Sequence, residues 1–263
     1  MTQSFSVTVA PNGARRSKKD HPALPLTLEE IAATAKACFD AGASAIHLHV
    51  RDEDGVHSLD AGRYRDAMAA VSDAAPDMQI QITTESAGVY DVATQQACLR
   101  NVLPAAASVS IREMARDAGI AKNVYSFADE ARIVVQHILY SPRDVTQLKR
   151  WMSEGVVPSR MNSVIFVLGR YQPAVLAKPS DLFPFLAATE GMDLNWAICA
   201  FGRNELACAY AALQRGGNIR IGFENNIELP DGTLARDNTE TITLAVAEGR
   251  SLGLCPASSK KAV

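Results

Sequence analysis

Eight short runs along the chain alternate apolar and polar residues with a period of two, and between most of them lie longer stretches with helical periodicity. The predicted strands are "SFSVTVAP" from Ser4, "SAIHLHV" from Ser44, "MQIQITT" from Met78, "ASVSIRE" from Ala107, "IVVQHILY" from Ile133, "NSVIFVLG" from Asn162, "NWAICAFG" from Asn195 and "NIRIGFE" from Asn218. The clearest predicted helix starts at Thr27, where Thr27 and Glu30 have capping-box spacing and Gly42 is a natural stop. Further helices are expected from Asp60, Ser141, Lys178, Arg203 and Arg236, with weaker periodicity after the third and fourth strands. Eight βα units in one chain predict an α/β fold of the (β/α)₈ TIM-barrel type. The alternative, a doubly wound sheet, lacks its usual companion, since no strand is followed by a glycine-rich phosphate fingerprint. No linker or low-complexity block divides the chain, so residues 1–263 are expected to form one barrel domain, with "CPASSKKAV" after Leu254 as a frayed tail.

In a barrel, strand parity separates the residues that face the axis from those under the helices. One parity gathers polar side chains: Ser6, Thr8 and Asn12 from the first strand, and His47, His49 and Arg51 from the second. The third brings Gln79, Gln81, Thr83 and Glu85, the fourth Ser108, Ser110 and Arg112, and the eighth Arg220 and Glu224. Their alternating partners, including Val7, Val9, Ile46, Leu48, Ile82, Val109, Ile219 and Ile221, suit the layer between barrel and helices. One side of the barrel is therefore expected to be polar inside. An unpaired buried polar group costs about 1–3 kcal/mol, so such a lining implies hydrogen bonds, an ion or a wet cavity. Catalytic groups in these barrels sit at the C-terminal strand ends, where His49, Arg51, Glu85, Arg112 and Glu224 are expected.

Composition narrows the function. With a net charge of −3 and a pI near 6.0, nothing suggests nucleic-acid binding, and "RRSKKDH" from Arg15 reads as a solvated loop. The N-terminus lacks the charged and apolar regions of an export signal, and no apolar run reaches membrane-spanning length. Five cysteines without a C-x-x-C pair fit reduced thiols in a cytoplasmic protein.

His47 and His49 at i and i+2 on one strand point the same way and can chelate one metal ion, or can simply be two hydrogen-bonded barrel histidines. Glu224 lies two strands away in a closed barrel and can supply a third ligand, leaving a coordination position open for substrate. His137 reads as a satisfied core histidine, His21 and His57 as exposed loop residues, and Trp151 and Trp196 as packing residues. No G-x-S-x-G elbow, P-loop or H-E-x-x-H is present.

With "TVAPNGA", "HLHVRDEDG", "IQITT", "FVLGRYQP", "FGRNELA" and "IRIGFENN" in this order, the chain resembles the zinc-dependent β-keto acid cleavage enzymes over nearly its whole length. The resemblance implies a (β/α)₈ barrel, usually a homo-oligomer (tetramer or dimer), with Zn²⁺ on His47, His49 and Glu224. It also implies a reaction in which a β-keto acid and acetyl-CoA give acetoacetate and a new acyl-CoA, by enolate attack on the thioester, CoA transfer and retro-Claisen cleavage. Arg220 matches an arginine that binds the substrate carboxylate or stabilises negative charge.

The chain departs from the family pattern near the reacting atoms. Asn225 stands where an aspartate is proposed to act in proton abstraction, and an amide cannot be a general base. Thr83 stands where serine also occurs, Glu85-Ser86 replaces a Gly-Gly pair, and Ser108 carries the strand-four hydroxyl ahead of "SIREM". Arg15 replaces an acidic residue of the amine-substrate members. The expectation is that Glu85 serves as the base, with Thr83 beside it. Arg15 and Arg112, with Ser108 and Asn225, are expected to bind a keto acid bearing an additional anionic or polar group. Two other readings follow from the same residues: a CoA-independent metal-assisted hydrolase or aldolase, and a non-catalytic zinc barrel that binds a small carboxylate.

Overall fold

A computed structural model describes residues 3–257. Eight parallel strands close into a barrel: β1 Val7–Val9, β2 Ala45–Leu48, β3 Gln79–Thr83, β4 Ala106–Ser110, β5 Val134–Leu139, β6 Ser163–Leu168, β7 Asn195–Ala200 and β8 Asn218–Ile221. Seven fall within the predicted runs, and β4 begins one residue ahead of its run, at Ala106. Closure occurs where β8 pairs with β1, through Val7–Ile219 and Val9–Ile221. Besides a single helical turn, Ile111–Met114, eight helices among the described residues follow the strands: α1 Leu28–Asp40, α2 Ala61–Ala74, α3 Val92–Val102, α4 Ala118–Glu130, α5 Pro142–Ser153, α6 Phe183–Ala188, α7 Glu205–Leu213 and α8 Asn238–Ser251. The weak helical signals after the third and fourth strands correspond to α3 and α4. In α3 the buried face includes the polar Gln95 beside Val92, Cys98, Leu99 and Val102, which blurs its apolar period.

Local chemistry explains the helix starts. Thr27 caps α1 with the expected capping box, its hydroxyl accepting from Glu30 N while Glu30 accepts from Thr27 N. Asp60, Asp91, Asp117 and Asp237 cap α2, α3, α4 and α8 through their side chains, which accept from the backbone N–H three residues on. The helix expected from Lys178 divides into a 3₁₀ turn, Pro179–Leu182, and the short α6, each with proline in its first turn.

The wall between barrel and helices is the predicted one: Val7, Val9, Ile46, Leu48, Ile82, Val109, Ile219 and Ile221 are all buried in the main core. A second apolar cluster of Ile138, Ile165, Val167, Ala197 and Cys199 comes from β5, β6 and β7. The polar lining expected from β1–β4 and β8 is thus opposed by apolar side chains from the other three strands.

Two expectations about the ends change. The first predicted strand breaks at Ser6, whose N–H donates to Asn218 Oδ1 at 2.8 Å. Ser4–Phe5 then pairs in parallel with Cys255–Pro256, so the chain just beyond Leu254 is not frayed. Cys255 N and Ala257 N donate to Gln3 O and Phe5 O, and the Phe5 ring occupies the space over Gly249 on α8. Residues 258–263 of the expected tail lie outside the described residues.

Candidate metal centre and active site

His47 sits on β2, and His49 lies one residue past its end, where the chain leaves the barrel for a two-stranded tongue, Val50–Arg51 against His57–Ser58. Both imidazoles are buried. Their Nε2 atoms lie 3.9 Å and 3.4 Å from the Glu224 carboxylate oxygens, and one ligand atom from each of the three residues lies within 4.8 Å of the others. Among the described residues, His49 Nε2 and Glu224 Oε2 have no hydrogen-bond partner, although both atoms are buried. Two imidazoles and a carboxylate with unpartnered donors fit a divalent ion of the zinc type.

Glu224 arrives differently from the strand-parity expectation. β8 ends at Ile221, and a tight turn follows in which Asn225 N and Asn226 N both donate to Gly222 O. Glu224 N donates to Ala10 O at 3.0 Å, tying the turn to the end of β1. Gly222 has φ +142°, and a Cβ there would lie 2.5 Å from Ala10 O. Gly13 has φ +62°, and a Cβ on it would lie 2.6 Å from Glu224 Cγ, so only glycine leaves room for the carboxylate. Sequence reasoning missed Gly13; its signal was the Asn12-Gly13 turn pair.

The charges around Glu224 are strongly coupled. Burial pushes its pKa up, but Arg220, with Nη2 3.7 Å from Oε1, and the two imidazoles hold it well below the usual carboxylate range. Burial also opposes the charge on Arg220, and Glu224 more than offsets it. His47 is held well below its ordinary value by burial and by Arg220, which keeps it neutral and able to ligate. Arg220 Nε and Nη1 are buried without partners among the described residues, while Nη2 lies 3.4 Å from Cys199 Sγ.

A cavity of about 300 Å³ opens over this cluster, with His47, Thr83, Glu85, Arg220 and Glu224 together in its lining. Arg15, Arg112 and Glu113 also line it, as do Tyr140, Arg170 and Tyr171, which the sequence did not single out. Glu85 is half-buried, and its pKa is raised, chiefly by burial, with His49 opposing the rise and Glu224 adding to it. Thr83 Oγ1 accepts from Glu85 N at 3.0 Å and from Ser108 Oγ at 3.2 Å. Arg112 lies on a single helical turn, Ile111–Met114, instead of a strand, because Ser110 caps that turn through Glu113 N. Its guanidinium pairs with Asp144 at 2.8 Å and stacks over Tyr140.

Several expected residues have other duties. Asn225 and Ser108 are buried and do not line the cavity: Asn225 turns inward with the Gly222 turn, and Ser108 stands behind Thr83. Arg51 is a structural clamp, donating to Gly13 O, Arg16 O and Gly55 O. His57 is buried instead of exposed, because the tongue folds back and brings its Nε2 to 2.8 Å from Glu85 O; burial, then His49, pushes its pKa down to about 3. His21 is also buried: Ala23 N donates to Nδ1, so Nε2 carries the hydrogen and donates to Ala235 O. His137 is the core histidine expected, with Nε2 2.9 Å from Met161 O, but among the described residues its buried Nδ1 has no partner.

A family model described as beta-keto acid cleavage enzyme matches residues 5–263. The chain is 28% identical over 260 residues to a 3-keto-5-aminohexanoate cleavage enzyme of Fusobacterium nucleatum, covering 96% of this chain and 94% of that protein. It is 26% identical over 259 residues to a 3-oxoadipate:acetyl-CoA acetyltransferase of Cupriavidus necator, covering 94% and 89%. Among solved structures, apo ObcA superposes with a TM-score of 0.70 at 16% identity, over 91% of this chain but only 64% of that one. A type I 3-dehydroquinate dehydratase from Clostridium difficile superposes with a TM-score of 0.64 at 10% identity, over 95% and 93%. At these identities the two structures speak to the barrel alone.

Proposed function

We propose, since the chain belongs to the beta-keto acid cleavage enzyme family, that it cleaves a β-keto acid with acetyl-CoA to give acetoacetate and a new acyl-CoA. One observation carries the reading: the donors of His47, His49 and Glu224 converge, and His47 and Glu224 line one cavity with Arg220 and Glu85. Bound zinc would supply a Lewis acid that polarises the keto group and favours loss of the adjacent proton. The unpartnered Nη1 of Arg220 suits the substrate carboxylate, to which it can donate a charge-assisted hydrogen bond. Glu85 takes the proton from the carbon between carboxylate and ketone; its raised pKa makes it a stronger base than an ordinary surface carboxylate. Thr83 already accepts two hydrogen bonds, which leaves its hydroxyl hydrogen for a substrate oxygen. Ser108 acts one step back, by holding that hydroxyl.

The proposal extends to the substrate. Of the arginines on the outer cavity wall, Arg112 is paired with Asp144, whereas Arg15 and Arg170 form no ion pair among the described residues. Glu113 is engaged by Ser86 and Gln95. The wall therefore favours a keto acid with a second anionic or strongly polar group over an amine. A homo-oligomer in the cytoplasm completes the reading, and among the described residues no helix is long and apolar enough to cross a membrane.

The test is mass spectrometry of zinc-loaded protein incubated with anionic, neutral and amino β-keto acids, with and without acetyl-CoA. Acetoacetate with one new acyl-CoA, formed fastest from an anionic member, is expected. Consumption without acetyl-CoA would replace the reading with hydrolysis or aldol cleavage, and preference for the amine would overturn the substrate class.

A further inference from the structure

Beneath the metal cluster, at the N-terminal ends of the strands, lies a second and larger cavity of about 660 Å³ lined by Thr8, Gln79, Gln81, Gln136, Asn195 and Asn218 among others. Gln81 and Gln136 are neighbours across β3, β4 and β5, and Gln81 Nε2 donates to Gln136 Oε1 at 3.3 Å. Gln81 is also the register partner of His47 on β2, with its Oε1 2.7 Å from His47 Nδ1. No part of the reaction described above uses these amides. His49, by contrast, has no hydrogen-bond partner on either ring nitrogen among the described residues, so the two imidazoles are held unequally.

We infer that Gln81, oriented by Gln136, is the positioning residue of the metal centre: it fixes His47 as the Nδ1–H tautomer and so presents the Nε2 lone pair to the ion. This rests on the metal reading proposed above. The hydrogen-bond direction along the chain follows from donor and acceptor chemistry. With its NH₂ given to Gln136, Gln81 can offer only its carbonyl to His47, and a carbonyl accepts. His47 must then place its single hydrogen on Nδ1, which leaves Nε2 unprotonated toward Glu224. If both amides were turned over, Gln81 would donate to Nδ1 and the hydrogen would sit on Nε2, where it blocks ligation. Gln136 therefore matters although it touches neither ligand nor cavity mouth. An amide also does this without adding a negative charge beside Glu224, whereas many metal-bound histidines are oriented by a carboxylate.

The experiment compares full-length wild type with Gln81→Met, Gln81→Glu and Gln136→Met by zinc affinity, measured in competition with a chelating dye, and by thermal melting. Gln81→Met is expected to bind zinc about 10- to 100-fold more weakly. Gln81→Glu should bind at least as tightly as wild type, and Gln136→Met should show a smaller loss. In parallel, ¹⁵N NMR of the metal-free wild type should find His47 protonated at Nδ1, with that preference lost in Gln81→Met. A wild-type Nε2–H tautomer would overturn the inference. So would a Gln81→Met protein that melts earlier yet keeps its tautomer and its zinc affinity within twofold, since Gln81 would then be a packing residue. A wild type that binds no zinc would sink the metal reading, and the NMR measurement would still judge the tautomer separately.

Discussion

Glu85 and Glu205 are both carboxyls pushed up by burial, and they differ in what surrounds them. Glu85 faces the cavity. Glu85→Gln should abolish acyl-CoA formation while zinc stays bound, measured by product assay beside metal analysis. For wild type, kcat/KM should fall as pH drops through the raised Glu85 value, above the pH at which an ordinary carboxylate titrates, because the base must be ionised. Glu205 is fully buried on α7, where Oε1 accepts from Gly222 N; burial, opposed by the Gly222 N–H and the Asn226 and Asn225 amides, lifts its pKa from 4.5 to about 8. Between those values the folded protein holds a proton that the unfolded chain has lost. Stability attributable to this group is thus complete below pH 4.5 and declines as pH rises toward 8, by on the order of a few kcal/mol. Glu205→Gln keeps an acceptor for Gly222 and removes the ionisation. Its melting temperature should exceed that of wild type at pH 8 and converge with it near pH 5. These roles were only partly legible: Glu85 stood out as a charge on the polar parity, whereas Glu205 looked like an ordinary residue of a helix start.

At the scale of elements, the candidate site is built where strands stop. β3 ends at Thr83, and the loop after it carries Glu85 and Ser86. Glu113, from the turn after β4, receives Ser86 N at 3.0 Å, Ser86 Oγ at 2.8 Å and Gln95 Nε2 at 2.7 Å, while Arg116 holds Gln95 Oε1. This network fastens one loop to its neighbour, so Glu113 is a positioning residue for Glu85. Glu113→Ala should lower kcat by roughly tenfold or more, with a smaller effect on KM and none on zinc content, as steady-state kinetics and metal analysis would report. Regular strands and helices were legible because their periods are written in residue types. The turns were not: the parity argument reached Glu224 and Arg112, but Glu224 comes from a Gly222 turn and Arg112 from a helical turn. A hydrogen-bonded turn changes direction in a way that period-two counting cannot follow.

On the scale of the whole molecule, the fold and the candidate metal centre draw on different interactions. The main core lies between barrel and helices and uses Val7, Ile46, Val109 and Ile219 with their neighbours. Chelation of the metal should therefore abolish turnover while the far-ultraviolet circular dichroism is retained. The melting temperature should drop by several degrees, because an ion bound only by the folded state stabilises it by mass action. Loss of secondary structure on chelation would show that the ion is part of the folding core. The closing pair Ser4–Phe5 with Cys255–Pro256 belongs to this scale as well, since no local pattern announces a partner some 250 positions away.

By itself the sequence determined the eight strands, the starts of α1, α2, α5 and α8, the apolar wall and the grouping of His47, His49 and Glu224, because these depend on side-chain type and on short periodic spacings. Tertiary structure alone decided that Gly13 must leave space for Glu224, that His57 folds in behind Glu85, and that Asn225 and Ser108 stand behind the cavity wall. It alone set the amide pair under His47. Each of these depends on contacts between segments far apart in the chain, whose distances and directions arise only when the barrel closes.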